Sequence, residues 1–418
     1  MFIEDRDKKC LKQKNYKDLE IAVSEFITQN EVDNALLLDP DECHGMASII
    51  ETIYKDVFCE SEQKSDIIEL IITMLQSQVL EDQPIYSDSD VEYFKIKLLA
   101  LEKIPQPEQR SPEWHEYRNN RLTASDLWYI TNWNDSKVHD ILKKKCGVDQ
   151  KFSPGLAILH GVKFESVATE IYEKRCNVII TEFGCIPHSF IPYFGASPDG
   201  ICSSNSENKN YVGRMLEIKC PKSRVITGFI PEVYQAQIQG QLEVCDLEYC
   251  DYLECDFQMY ASKDAFLKDV FVGEDGVIDY SRTKNGMEKG AMFETYNMSK
   301  KAHAYEYCRT ILSNQEDIDK WEDPFIDTII DSDNLEHAGT TFWYLRNISI
   351  VLVPRDREWF RTNFHKIKRF WDAVEDARMN GIPEKKKKDK EPKFDMLQFT
   401  GTMANKPMEV LIDFNSTS

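Results

Sequence analysis

An apolar β-strand that carries a glutamate and a lysine constrains this 418-residue chain more than any other feature. In Leu216-Glu217-Ile218-Lys219 charged and apolar residues alternate, so Glu217 and Lys219 share one face of the strand. A charged pair in an apolar strand demands a partner or a metal. Upstream, Ser197-Pro198-Asp199-Gly200 puts Asp199 at a turn leading into the neighbouring strand, within reach of that face. Two converging carboxylates make an oxygen-ligand site for Mg²⁺ or Mn²⁺. A lysine beside such a site can orient or deprotonate a water that attacks a phosphodiester.

The surrounding pattern supplies a fold for that strand. Helical periodicity covers residues 112–121 and 155–175, the second with Phe164, Val167, Ala168, Ile171 and Tyr172 on one side. Three strands are expected at 178–186, 191–202 and 214–219, with the polar segment 203–210 as an exposed hairpin loop. A helix over 231–244 and a strand over 249–257 follow. Helix, three strands, helix, strand is a mixed α/β core, a meander followed by a crossover. Turn signals at Glu274-Asp275-Gly276 and Asn285-Gly286 point to an elaboration of the sheet within 258–345. Phe360, Phe364, Ile367, Phe370, Trp371 and Val374 recur at helical spacing, so 356–379 reads as a core helix.

The length suits two or three domains. Residues 1–105 read as an acidic helical domain, where Ile67, Ile68, Leu70, Ile71, Met74, Leu75 and Val79 share a helix face, and Pro105 and Pro107 mark its end. The main domain is expected over 106–380, and a tail with four lysines at 385–388 over 381–418. With 42% hydrophobic and 29% charged residues, extended disorder is excluded for most of the chain. No run of eighteen apolar residues occurs, and the opening MFIEDRDKKC lacks the build of a signal peptide. The expectation is a soluble intracellular protein with no membrane contact. None of the twelve cysteines forms a C-x-x-C pair, so Cys185, Cys202, Cys245, Cys250 and Cys255 read as buried apolar residues, not zinc or iron–sulfur ligands.

A net charge of −21 argues against broad non-specific binding of nucleic acid. Residues 1–105 carry 23 acidic against 11 basic side chains, however, which leaves room for a basic groove elsewhere. Arg214, Lys219, Lys222 and Arg224, with Lys143, Lys144 and Lys145, are candidates to follow a phosphate backbone. Trp128 and Trp133 either stack on bases at a frayed end or pack internally.

Pro198-Asp199 followed by Glu217-Ile218-Lys219 resembles the signature of the PD-(D/E)xK nucleases. Over about residues 110–257 the chain is similar to the phage lambda exonuclease and YqaJ viral recombinase branch, most of all to the versions carried by large eukaryotic DNA viruses. Four further blocks carry the resemblance: Arg118-Asn119-Asn120-Arg121-Leu122-Thr123-Ala124-Ser125; His160-Gly161-Val162-Lys163-Phe164-Glu165; Cys220-Pro221 after Lys219; and Tyr234-Gln235-Ala236-Gln237-Ile238-Gln239. Asn120 stands where the family has glycine, a position where the local turn is open to change. The resemblance implies a restriction-endonuclease-like core with a mixed central sheet flanked by helices. It implies Arg118 and Ser125 as receivers of a DNA 5′-phosphate, Glu165 as a carboxylate near a second metal ion, and Gln237 as support for the active site. Two Mg²⁺ or Mn²⁺ ions are the implied cofactors, and double-stranded DNA ends the implied substrate. A single-strand annealing protein and further copies of the chain are the implied partners. The expected activity is a metal-dependent 5′→3′ exonuclease resecting ends for viral recombination, replication or repair. A structure-specific endonuclease on the same site, an RNA endonuclease and a non-catalytic DNA-binding scaffold are the alternatives.

Overall fold

A computed structural model describes residues 40–53, 84–107, 111–148, 155–273, 276–299 and 301–383, with Val23, Ile71 and Gln109. Most of the expected acidic helical domain and the Lys-rich tail lie outside the described residues. In chain order the elements begin with helices α1 (Pro40–Ile53), α2 (Asp88–Glu102) and α3 (Pro112–Asn119) and strand β1 (Leu122–Thr123). Helices α4 (Leu127–Thr131), α5 (Asp135–Lys145) and α6 (Leu156–Cys176) follow. Next come β2 (Ile180–Thr181), β3 (Ile186–Pro187), β4 (Phe194–Ala196), β5 (Gly200–Cys202), β6 (Met215–Lys219), α7 (Glu232–Cys245) and β7 (Tyr249–Met259). The last part holds α8 (Lys263–Lys268), β8 (Phe271–Val272), β9 (Ile278–Asp279), β10 (Lys289–Asn297), β11 (Ala302–Tyr307), α9 (Gln315–Ile330), β12 (Leu335–Pro354) and α10 (Arg357–Asn380).

A seven-stranded mixed sheet in the order β11-β10-β12-β7-β6-β5-β2 forms the centre. β6 and β7 run parallel, joined by the crossover helix α7, and the other neighbours are antiparallel. The period of two along β6 divides its side chains between two cores. Leu216 and Ile218 pack with Phe164, Val167, Ala168 and Ile171 of α6 on one face. Met215 points to the other face, with Ile238 and Leu242 of α7 and Phe360, Ile367 and Phe370 of α10. Each fully buried aliphatic or aromatic side chain there stabilises the fold by about 1.5–3 kcal/mol. The expected mixed sheet flanked by helices is thus present, with α10 as a core helix.

Three expectations change in detail. The strands over 178–186 and 191–202 are each split between two sheets: β2 and β5 join the large sheet, whereas β3 and β4 form a small one with β1. Pro198 lacks the N–H a ladder needs, and the chain changes sheet at Ser197-Pro198-Asp199. The segment 203–210 is not simply an exposed loop, because Ser203 and Ser206 are buried and the Ser206 hydroxyl accepts from Ile179 N. Segment 258–345 does elaborate the sheet: β12 pairs with both β7 and β10. Val91, Phe94, Leu98 and Leu101 of α2 belong to the main core, so this part of the acidic segment is integral to the sheet domain.

Candidate active site

Glu217 is fully buried on the α7 side of β6. Its Oε1 accepts from the Lys219 ammonium and from Gln237 Nε2 at 2.6 Å, and its Oε2 accepts from Gln241 Nε2 at 2.7 Å. Gln237 and Gln241 are four residues apart, hence on one face of α7. Gln241 also donates to Ser197 O at 3.3 Å, which ties the crossing segment to the same helix. The β5–β6 ladder ends at Gly200–Leu216, and one step beyond it the Asp199 carboxylate accepts from Ile218 N at 2.7 Å. A side chain thereby takes the place of the missing strand partner and is fixed beside the Glu217–Lys219 face.

Burial pushes the Asp199 carboxyl well above the usual carboxylate range, and Glu217 and Glu165 push it the same way. Lys219 and the Ile218 N–H act in the opposite direction and do not offset this. Burial also opposes the Lys219 ammonium, but Glu217 and Asp199 outweigh it and raise its affinity for the proton. Lys219 is therefore a cation here. Asp199, Glu217, Lys219, Glu165 and Gln237 line one cavity of about 220 Å³, together with Arg118 and Ser125. Among the described residues, no three Asp, Glu, His or Cys side chains close into a complete metal-ligand group. Asp199 and Glu217 are the pair able to hold a hard cation, and Glu165 contributes to the field from the cavity wall.

Arg118 gives the wall of the same cavity a second cation. Ser111 caps α3 by accepting from Trp114 N, and Pro112 starts the helix, so Trp114 and Arg118 emerge one turn apart. The Arg118 guanidinium lies over the Trp114 ring at 4.2 Å and donates to Ser125 Oγ at 3.4 Å. Asn120 has a φ of −84°, so this turn has no need of glycine. Gly240 of α7 permits the close approach: a Cβ there would sit 2.3 Å from Leu127 Cδ1 and 3.0 Å from Ala124 Cβ. A second cavity, of about 470 Å³, shares Glu165 and Lys219 and adds Lys222, Arg224 and Tyr234.

Two cations expected to face a backbone do not. Arg214 is buried and paired with Asp251 at 3.3 Å, while Tyr172 donates to the same carboxylate at 2.6 Å. Lys145 is buried against Asp126 at 3.3 Å. Trp128 packs on the core and donates to Glu232 at 3.0 Å, whereas Trp133 is 39% exposed beneath the Arg369 guanidinium. Cys185, Cys202, Cys245, Cys250 and Cys255 are buried and unbridged, as expected. Gln241, Trp114 and Gln109 also line the first cavity and carry no motif of their own.

Residues 113–248 match the sequence profile of the YqaJ-like viral recombinase domain. The chain is 31% identical over 320 residues to the uncharacterized protein R354 of Acanthamoeba polyphaga mimivirus, covering 69% of this chain and 56% of R354. It thus spans little more than half of that relative's length. Among solved structures it is similar to the alkaline exonuclease LHK-Exo of Laribacter hongkongensis, with a TM-score of 0.37 and 16% identity over 64% of this chain and 95% of that one. A phage-related exonuclease from Haemophilus somnus gives a TM-score of 0.33 and 12% identity over 62% of this chain and 96% of the other. Over residues 113–248, therefore, the chain is similar to the YqaJ-like viral recombinase domain.

Proposed function

We propose that the chain is a metal-dependent DNA exonuclease that shortens double-stranded ends in the 5′→3′ direction. The observation carrying this reading is one cavity whose wall holds both Asp199, Glu217 and Lys219 and the Arg118–Ser125 pair. A pocket that holds a terminal phosphate fixes which phosphodiester lies at the carboxylates.

The donor chemistry fits Mg²⁺ or Mn²⁺. The cavity gathers the carboxyl groups of Asp199, Glu217 and Glu165 around the one ammonium of Lys219, and burial, with Glu217 and Glu165, raises the Asp199 carboxyl. Mg²⁺ is commonly held by one or two carboxylates, with waters and substrate phosphate oxygens completing the shell. Asp199 and Glu217 would hold it. When bound, such an ion neutralises phosphoryl charge and makes a coordinated water more acidic. Gln237 and Gln241 fix the Glu217 carboxylate, and the Ile218 N–H fixes Asp199. Lys219, kept cationic by both carboxylates, orients the attacking water and stabilises charge growing on the phosphate. Arg118 and Ser125 receive the 5′-phosphate through charge-assisted hydrogen bonds.

Digestion of one DNA as a closed circle and as a linear duplex, with Mg²⁺ and with excess chelator, tests the reading. Degradation of the linear form alone, abolished by chelator, is expected. Nicking of the circle at a comparable rate would favour an endonuclease, and full turnover in chelator would remove the metal assignment.

A further inference from the structure

We infer that Lys145 is a positioning residue for the end-binding pocket, setting the enzyme's discrimination between 5′-phosphorylated and 5′-hydroxyl ends through Arg118 and Ser125. This rests on the reading of those two residues as the receivers of a terminal phosphate. Lys145 ends α5, and its side chain is 1% exposed. A lysine is seldom so deeply buried unless paired.

Its contacts form a closed circuit with the pocket. The Lys145 ammonium donates to Arg118 O at 3.0 Å and pairs with Asp126 Oδ2 at 3.3 Å. That same Asp126 oxygen accepts from Thr123 Oγ1 at 2.9 Å. Thr123 Oγ1 lies 3.2 Å from Ser125 Oγ, which accepts from Arg118 Nη2 at 3.4 Å. One ammonium thus holds the main chain of Arg118 and, through Asp126 and Thr123, the hydroxyl of Ser125. Burial opposes the Asp126 carboxylate, but Lys145, Lys144, Thr123 and Arg118 together keep it below its ordinary range, whereas burial, aided by Lys144 and Arg118, lowers the pKa of the Lys145 ammonium against the pull of Asp126. Lys145 is itself anchored from α10, where Arg378 donates to its carbonyl through Nη2 at 2.7 Å and Nε at 3.1 Å.

Such a pair gains little over well-packed apolar residues as a source of stability. What an apolar residue cannot do is hold a carbonyl and a carboxylate at fixed places. An anion pocket whose two donors sit on different turns, Arg118 at the end of α3 and Ser125 after β1, needs that registration. Asp199 and Glu217 are not part of the circuit, so the effect falls on placement of the end.

Lys145→Met removes the hub while keeping a long apolar stem. The measurement is kcat/KM on linear duplexes that differ only in a 5′-phosphate or a 5′-hydroxyl. The preference for phosphate should fall by roughly tenfold to a hundredfold, the scale of a misplaced substrate group, with cleavage of hydroxyl ends close to the parental rate. Asp126→Asn breaks the circuit at its next link and carries the same expectation should Lys145→Met fail to fold. Equal loss on both substrates in the variant that folds would mark a general structural role and overturn the inference. An unchanged preference in both variants would overturn it alone, whereas a parent indifferent to the phosphate would overturn it together with the underlying reading.

Discussion

Replacing Lys219 by methionine keeps the side-chain length and removes the cation in contact with Glu217. Glu217 is fully buried and would then be held only by Gln237 and Gln241, with Asp199 and Glu165 still nearby. Breaking a buried ion pair by deleting one partner costs about 3–5 kcal/mol. The Lys219 side chain is 22% exposed, and two amide donors remain on Glu217, so a loss of about 2–3 kcal/mol of stability is expected. Catalysis should suffer separately. Loss of one preorganised electrostatic group slows cleavage by about a hundredfold to a thousandfold, or about 2.7–4 kcal/mol of barrier. Thermal melts with and without Mg²⁺, beside single-turnover cleavage of a linear duplex, measure both. Added Mg²⁺ should raise the Tm of the variant more than that of the parent, because a bound cation restores positive charge between the carboxylates. A variant that cut at the parental rate, or whose Tm responded to Mg²⁺ no more than the parent's, would refute this reasoning.

Gln241→Leu should lower kcat roughly tenfold or more, since one hydrogen bond to a charged group is worth about 1.5–3 kcal/mol. Its stability should fall by about 1–3 kcal/mol, because the buried Glu217 Oε2 loses a donor, a loss only partly offset by removal of the buried amide Oε1 that has no hydrogen-bond partner; cleavage at the parental rate would contradict the role given to this residue. A pH effect is expected at Lys289, whose buried ammonium donates to the carbonyls of Phe266 and Asp269. Burial lowers its pKa from 10.5 to about 8, against the pull of Asp269 and Asp279. The folded state therefore carries a constant penalty below pH 8, relieved as pH rises from 8 to 10.5, where the unfolded chain still binds the proton. Tm should gain a rising contribution across that window that Lys289→Met removes; identical pH–Tm profiles for the two proteins would count against it.

Much of the site was legible because it is local. Glu217 and Lys219 sit two apart on a strand, and Arg118 and Ser125 fall within one short motif, so periodicity and pattern bring each pair together. Asp199 is nearly as local, one turn from the strand that pairs with β6. The helices α6 and α10 were similarly readable, since their apolar stripes repeat at 3.6 residues. Less was legible where partners are distant in sequence. β2 to β5 are two or three residues long, and whether each joins the large or the small sheet depends on neighbours outside its own run. Lys145 and Arg214 looked like solvated cations because their buried partners, Asp126 and Asp251, lie 19 and 37 residues away. Gln241 did leave a signal, its place four residues after Gln237, but a glutamine-rich helix offers several such pairs. α2 was grouped with the acidic segment on charge, helical texture and the boundary at Pro105 and Pro107, none of which reveals the four apolar side chains it contributes to the core.

Release of label from linear duplexes marked separately at the 5′ and the 3′ ends decides whether the chain is a metal-dependent exonuclease of 5′→3′ polarity. The parent and Asp199→Asn would be compared, each with Mg²⁺ and with chelator. Expected are early release of the 5′ label as mononucleotide by the parent in Mg²⁺, late release of the 3′ label, and no release by Asp199→Asn or in chelator. Early release of the 3′ label, or undiminished release by Asp199→Asn, would contradict that reading.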